Sequence, residues 1–198
     1  MNDEILTSLI KSINSFSIQF RDNVYSYLYE SDVQSALFAK LREEINRDVD
    51  VDGIDNNKKY KLNLIHTEYL QSIDICCLDF DAISLIKESK IYKSNNGHDD
   101  FIYQLPVLLA IELKFIKGER CSSAFLGTLK DKEKIINSEK KHIINKYICI
   151  CFIQSEEVFK KHTTNLRIAL EKTDEIGALD TCYVVSPNGT YILEKQRA

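Results

Sequence analysis

The chain has only two prolines and six glycines among 198 residues, which leaves little room for linkers or low-complexity tracts. No internal repeat is present. No apolar run approaches the roughly 20 residues that a membrane-spanning helix requires. The opening Met1-Asn-Asp-Glu-Ile5 lacks a basic segment leading into a long apolar one, so no secretory leader is expected. There is no C-x2-C pair, no H-x3-H or H-E-x-x-H spacing, no phosphate-cradling glycine loop and no G-x-S-x-G elbow. These absences argue against a structural zinc module, a zincin-type protease, a P-loop enzyme and a serine hydrolase. What remains is a soluble, cytoplasmic protein with no membrane partner.

What is there begins with bulk. A 44% hydrophobic content over 198 residues suits one domain with a sizeable core. Five of the six cysteines, Cys76, Cys77, Cys149, Cys151 and Cys182, lie in apolar, strand-like runs. There a free thiol behaves as a small core residue. A disulfide framework is not expected in a chain this large without an export signal. Net charge is −4, but it is unevenly spread. Residues 1–57 hold eleven acids against five bases, and residues 114–146 hold nine bases against four acids. That basic segment either tracks a phosphate backbone or is a solvated lysine-rich helix face.

The stretch Pro106-Val-Leu-Leu-Ala-Ile-Glu-Leu-Lys114 carries the most information. A short, wholly apolar run reads as a strand buried on both faces. Alternation along it brings Glu112 and Lys114 out on one face and Leu113 on the other. A carboxylate and an ammonium at the end of a core strand are costly without partners or a metal. Upstream, Ile73-Asp-Ile-Cys-Cys-Leu78 is a second apolar run with an acid. If the two strands are neighbours, Asp74 meets Glu112 across the ladder. Two carboxylates and a lysine converging there describe a divalent-cation site with a charged group to hold a water.

Periodicity orders the rest. Residues 3–14 and 16–28 read as two helices, with Phe16, Phe20, Val24 and Leu28 at every fourth position. Ser31-x-x-Gln34 gives a capping-box signal for a helix to about Arg47, striped by Val33, Leu37, Leu41 and Ile45. Glu30 lies at the edge of that stripe, either aimed at the sheet or simply favoured by the helix dipole. Strands are expected over 60–69, 72–80 and 106–116, with 86–104 as an exposed excursion. A lysine-rich helix should follow over about 122–144, then a strand at 146–153 and a helix from Ser155 to about Lys172. The end reads as strands near 181–186 and 190–194 joined by a Pro187-Asn-Gly189 hairpin turn. The same turn accounts for the Asn188-Gly-Thr190 sequon.

The Asp74 … Glu112-x-Lys114 pattern resembles the restriction-endonuclease-like, or PD-(D/E)XK, nuclease superfamily. The resemblance extends over residues 30 to about 155. Glu30-Ser-Asp-Val-Gln-Ser-Ala-Leu37 is similar to the acid-bearing first helix of that core, and His66-Thr-Glu-Tyr69 to the end of its first strand. Leu129-Lys-Asp-Lys-Glu-Lys134 and Tyr147-Ile-Cys-Ile-Cys-Phe152 resemble the helix and strand after the catalytic pair. Two departures are the missing proline before Asp74 and the long gap from Asp74 to Glu112. The resemblance implies an α/β fold with a mixed central sheet flanked by helices. It divides the chain into an N-terminal helical extension (1–29), a catalytic core (30–155) and a C-terminal helix and hairpin (156–198).

The residues themselves imply a hydrolytic metal site, and the resemblance adds the nucleic-acid substrate, DNA by expectation. Asp74 and Glu112 would bind Mg²⁺ or Mn²⁺ through oxygen, joined in the superfamily by the Leu113 main-chain carbonyl. Lys114 would orient the nucleophilic water and offset transition-state charge. Glu30 would serve a second metal or its water. Lys130, Lys132 and Lys134 are the candidate nucleic-acid contacts, with Lys140 and Lys141 in reserve. A homodimer is a further expected partner. The competing readings are a buried Lys114 ion pair in a catalytically silent binding or scaffold protein, and a defence effector nuclease gated by a partner. Asp79 and Asp81 replace Asp74 if the register shifts. Glu68 either supports the site or forms a cross-strand ion pair. Asp48-x-Asp-x-Asp-Gly53 mimics half a calcium loop but has Lys59 where the bidentate glutamate belongs, so an acidic turn is expected. The four histidines are read as surface or half-buried rather than as ligands.

Overall fold

A computed structural model of the chain describes residues 1–52, 59–69, 73–84, 105–118, 144–161 and 181–193. The first element is a single helix, α1 (Asn2–Asp22), where two helices with a break near Ser15 were expected. Ser15 is exposed and breaks nothing. Ile5, Leu9, Ile13, Phe16 and Phe20 stay in phase across it and are all buried. Burying five such side chains is worth roughly 10 kcal/mol of gross transfer free energy. The stripe ends with Phe20, because the chain then turns through a 3-10 segment (Val24–Ser26). Tyr27 folds back onto Phe16 and Phe20, at ring separations of 5.9 and 5.3 Å, which leaves Leu28 exposed.

Helix α2 (Glu30–Glu44) buries Val33, Leu37 and Leu41, as the stripe predicts, with Ile45 buried just beyond its end. Its start differs from expectation. Asp32, rather than the Ser31/Gln34 pair, holds the end, with Oδ2 accepting the Leu28 and Tyr29 N–H groups at 2.8 and 2.9 Å. A carboxylate three residues into the helix reaches the orphan donors before it, and this frees Gln34 for another role.

The expected 60–69 strand is two strands in different sheets. β1 (Asp48–Asp52) and β2 (Lys59–Asn63) form a separate antiparallel ribbon. The acidic triplet is therefore neither a turn nor a calcium loop. Asp50 lies across from Lys61 in register and pairs with it at 3.2 Å, while Asp48 accepts a hydrogen bond from Asn63. Cross-strand charge complementarity outweighs the turn signal in the sequence.

After a bend at Leu64 come β3 (Ile65–Tyr69), β4 (Ile73–Leu78), the short α3 (Phe80–Ser84), β5 (Val107–Ile116), β6 (Ile144–Ile153), β7 (Thr181–Ser186) and β8 (Gly189–Leu193). They form one six-stranded sheet in the order β3-β4-β5-β6-β7-β8. The first two pairings and the last are antiparallel; β5-β6 and β6-β7 are parallel. The chain is thus mixed α/β with a mixed sheet. Both prolines lie outside the strands: the Pro106 carbonyl accepts the Asp79 N–H just before β5, and Pro187 sits in the β7-β8 turn. Helix α1 covers one sheet face, where Phe20 and Phe16 meet Phe152 at 4.8 and 5.5 Å. Phe152 is in register with Phe115. By strand alternation the opposite face carries Glu112, Lys114, Tyr147, Cys149 and Cys151. The 86–104 excursion, the lysine-rich helix with Lys130, Lys132, Lys134, Lys140 and Lys141, and residues 162–172 of the later helix lie outside the described residues. A helical segment does start at 156.

Candidate metal centre

The C-terminal half of β5 outruns its antiparallel neighbour. β4 begins at Ile73, and the pairing of Ile75 with Ile111, extended by one residue, sets Asp74 opposite Glu112. Beyond that point β5 has an edge with two main-chain donors to satisfy. Two carboxylates do so: Asp74 Oδ2 accepts the Leu113 N–H at 2.6 Å, and Glu30 Oε2 accepts the Phe115 N–H at 2.8 Å. The Leu113 carbonyl faces the same edge as its N–H, since both groups of a strand residue point to one neighbour in an antiparallel pair. Glu30 arrives there because it opens α2, which packs against β3, β4 and β5.

Glu112 and Lys114 emerge together on one face, as alternation requires. Lys114 Nζ lies 2.9 Å from Glu112 Oε1 and 3.9 Å from Glu30 Oε1. The ion pair of the competing reading is therefore present, shared between two acids. Glu112 Oε2 is buried and makes no bond to Lys114, and the Tyr147 phenol is directed at this carboxylate as a hydrogen-bond donor. Tyr147 projects to this face from β6; burial first, then the charge of Glu112, push its phenol far above the usual range.

A second layer comes from α2 and β3. Gln34, one turn after Glu30, donates through Nε2 to Glu68 Oε1 and to the Asp74 carbonyl, each at 2.9 Å. Glu68 has a positive φ of 51°, unfavourable for a residue with a long side chain. The backbone is strained where its carboxylate meets Gln34, and such strain tends to gather at functional sites. Among the described residues Glu68 makes no cross-strand ion pair.

Three carboxylates, Glu30, Asp74 and Glu112, thus act on one ammonium, with Glu68 beside Asp74 through Gln34. Burial lifts Asp74 to about 6; the Leu113 N–H and Lys114 pull it back, while Glu30 and Glu68 add repulsion. Burial and then the charge of Asp74 push Glu112 up to about 8, against the attraction of Lys114. Lys114 is held above its normal range: burial works against its charge, and Glu112, Glu30 and Asp74 more than restore it. A group of acids this crowded is short of positive charge. Its all-oxygen donors match the preference of hard divalent cations. Among the described residues no three of these carboxylates bring oxygens within 4.8 Å of one another, so a divalent cation would have to draw them together.

The structure keeps the register alternatives away from this point. Asp79 caps α3, with Oδ1 accepting the Ala82 N–H at 2.8 Å and the Asn2 side-chain amide at 2.7 Å. Asp81 accepts the Asn2 main-chain N–H. His66 is half-buried, its Nε2 against the Asn63 carbonyl at 2.6 Å. Sequence reasoning missed Gln34, whose i, i+4 relation to Glu30 is the signal that was available. It also missed Tyr147 beside Glu112. All five described cysteines are buried and free, as expected, but the sulfurs of Cys149, Cys151 and Cys182 gather within 4.8 Å of one another. No spacing rule indicates that gathering. Compared with protein-family models, with curated proteins and with solved structures, the chain finds no match.

Proposed function

We propose that the protein is a Mg²⁺- or Mn²⁺-dependent nuclease of restriction-endonuclease-like type, acting on DNA at the acid–lysine cluster. The observation that carries this reading is the meeting of Glu30 and Glu112 on Lys114, with Asp74 on the neighbouring Leu113 N–H, at the free edge of β5. The sheet supports it: β3, β4 and β5 pair antiparallel and β6 joins β5 in parallel, with the acid-bearing α2 against β3–β5, in keeping with the mixed, helix-flanked sheet the resemblance implies.

Asp74, Glu112 and the Leu113 carbonyl would hold the cation, with Glu30 at its flank. A cation there supplies Lewis-acid polarisation of a phosphoryl oxygen and acidifies a water. Lys114 presents an ammonium restrained by two carboxylates, and it orients the attacking water and offsets charge building on the phosphoryl oxygens. Water adds to phosphorus, one P–O ester bond breaks, and an alcohol and a phosphate monoester leave. Lys117, early in the basic 114–146 segment that would follow the phosphate backbone, lies over the Tyr29 ring at 4.5 Å.

A second reading has its own observation. Asp74 and Glu30 also hold main-chain donors of β5, so the same acids serve a catalytically silent scaffold. Calorimetric titration with Mn²⁺ separates the site from its absence. Wild type should bind, and Asp74→Ala should lose binding while unfolding cooperatively. Equal Mn²⁺ affinity in the two proteins removes the proposed metal centre.

A further inference from the structure

We propose that Cys149, Cys151 and Cys182 form a second, separate metal site, selective for a thiophilic d¹⁰ cation, Zn²⁺ or Cu⁺. Five cysteines are buried in the described sheet, but only these three converge. Cys76 and Cys77 are adjacent on β4 and so point to opposite faces. Cys149 and Cys151 are two apart on β6 and share a face, and Cys182 on β7 is in register with Cys149. The Cys149 and Cys151 sulfurs are 3.9 Å apart, and all three lie within 4.8 Å. Two sulfurs bound to one ion at about 2.3 Å stand roughly 3.8–4.0 Å apart in tetrahedral or trigonal geometry, so the sulfur separation already matches shared ligation.

Chemistry keeps this site distinct from the acid cluster. Thiolates select Cu⁺ and Zn²⁺, whereas carboxylate and carbonyl oxygen select Mg²⁺ and Mn²⁺. Ligation displaces three thiol protons to solvent. Three thiolates around a divalent ion leave one negative charge, and Lys114, in register with Cys151, lies on the same face to offset it. An ion there would tie β6 to β7 one strand away from Glu112.

The test uses the full chain, stripped of metal in reducing buffer and titrated with Cd²⁺ as probe. The expected result is a sulfur-to-cadmium charge-transfer band saturating at one equivalent. The unfolding midpoint should rise by about 5–10 °C at a hundredfold excess over Kd. Cys182→Ala should weaken binding by about tenfold or more. Asp74→Asn should leave the band unchanged while losing Mn²⁺, which separates this site from the proposed nuclease centre. Competition by Zn²⁺, and by Cu⁺ under anaerobic conditions, identifies the preferred ion by which displaces Cd²⁺ at lower concentration. If the cysteine variants do not fold, cadmium NMR of the wild type decides by counting sulfur ligands. A three-sulfur resonance supports the site. No band at one equivalent, a resonance without sulfur ligands, or a band untouched by replacing each of the three cysteines overturns it and leaves the thiols as core packing.

Discussion

Glu112 is 3% exposed within a six-stranded sheet, with one oxygen on Lys114 and the Tyr147 phenol beside its carboxylate. Its raised pKa makes a prediction about the metal-free protein. Asp74 rises to about 6 and Glu112 to about 8, both above their unfolded values, so the folded chain binds more protons between about pH 4 and 8. Stability from these groups is full below the unfolded pKa values and is lost as pH rises through the folded ones. In chelator, urea midpoints should therefore fall from pH 5 to pH 8.5, with Glu112 accounting for a loss on the order of a few kcal/mol. Glu112→Gln should flatten the trend, whereas an equal slope in wild type and variant contradicts the assignment. Excess Mn²⁺ should restore stability at the alkaline end, where deprotonated carboxylates bind best. At this scale the sequence was legible where alternation decides: Glu112-x-Lys114 shares a face in any strand. Gln34 was not legible, because its partners, Glu68 and Asp74, lie on strands 34 and 40 residues away. The three-cysteine gathering was hidden because it depends on β6 lying beside β7.

Among the elements, hydrophobic periodicity proved the dependable signal and local capping rules the weaker one. The α2 stripe of Val33, Leu37 and Leu41 is buried as expected, but the cap is Asp32, because a carboxylate reaching back serves two N–H groups at once. Over 59–69 the alternation changes phase at Leu64-Ile65, from Tyr60, Leu62 and Leu64 to Ile65 and Tyr69, and that phase change marks the bend that sends β2 and β3 to different sheets. The continuous α1 can be tested at Ser15, an exposed position in mid-helix. Ser15→Pro should cost about 3 kcal/mol or more, since it removes an intrahelical hydrogen bond and strains the preceding turn. Two helices divided there would tolerate the proline with little loss in urea denaturation. The structure also changes the sense of a helical extension: α1 packs its aromatic residues onto Phe152 and Phe115, so it forms part of the core rather than an appendage.

For the whole molecule, the two charged regions of the sequence bear on the proposed function in different ways. The acid-rich N-terminal third supplies Glu30 to the site. The basic 114–146 segment begins at Lys114 and includes Lys130, Lys132 and Lys134. If that segment follows a phosphate backbone, replacing those three lysines together should reduce the slope of log affinity against log salt by about 2–3, from fewer released counterions. An unchanged slope in DNA titrations moves the backbone contact to Lys140 and Lys141 or elsewhere. The mixed character of the sheet was readable from element succession, whereas the substrate was not, because the proposed chemistry of acids, a lysine and a cation does not say what is hydrolysed. The most direct measurement is therefore cleavage itself, by wild type and Lys114→Ala, with Mg²⁺ and with Mn²⁺, on single- and double-stranded DNA and on RNA. Lys114 acts mainly in the transition state on this account, so its loss should spare metal and DNA binding and slow cleavage by about a thousandfold. Lys114→Arg should not restore the rate, since a planar guanidinium cannot place a point charge on the same water. Cleavage by Lys114→Ala at the wild-type rate contradicts the mechanism. A wild type that cleaves none of these substrates, with Lys114→Ala losing several kcal/mol of stability, makes the cluster a buried ion pair and the protein a scaffold.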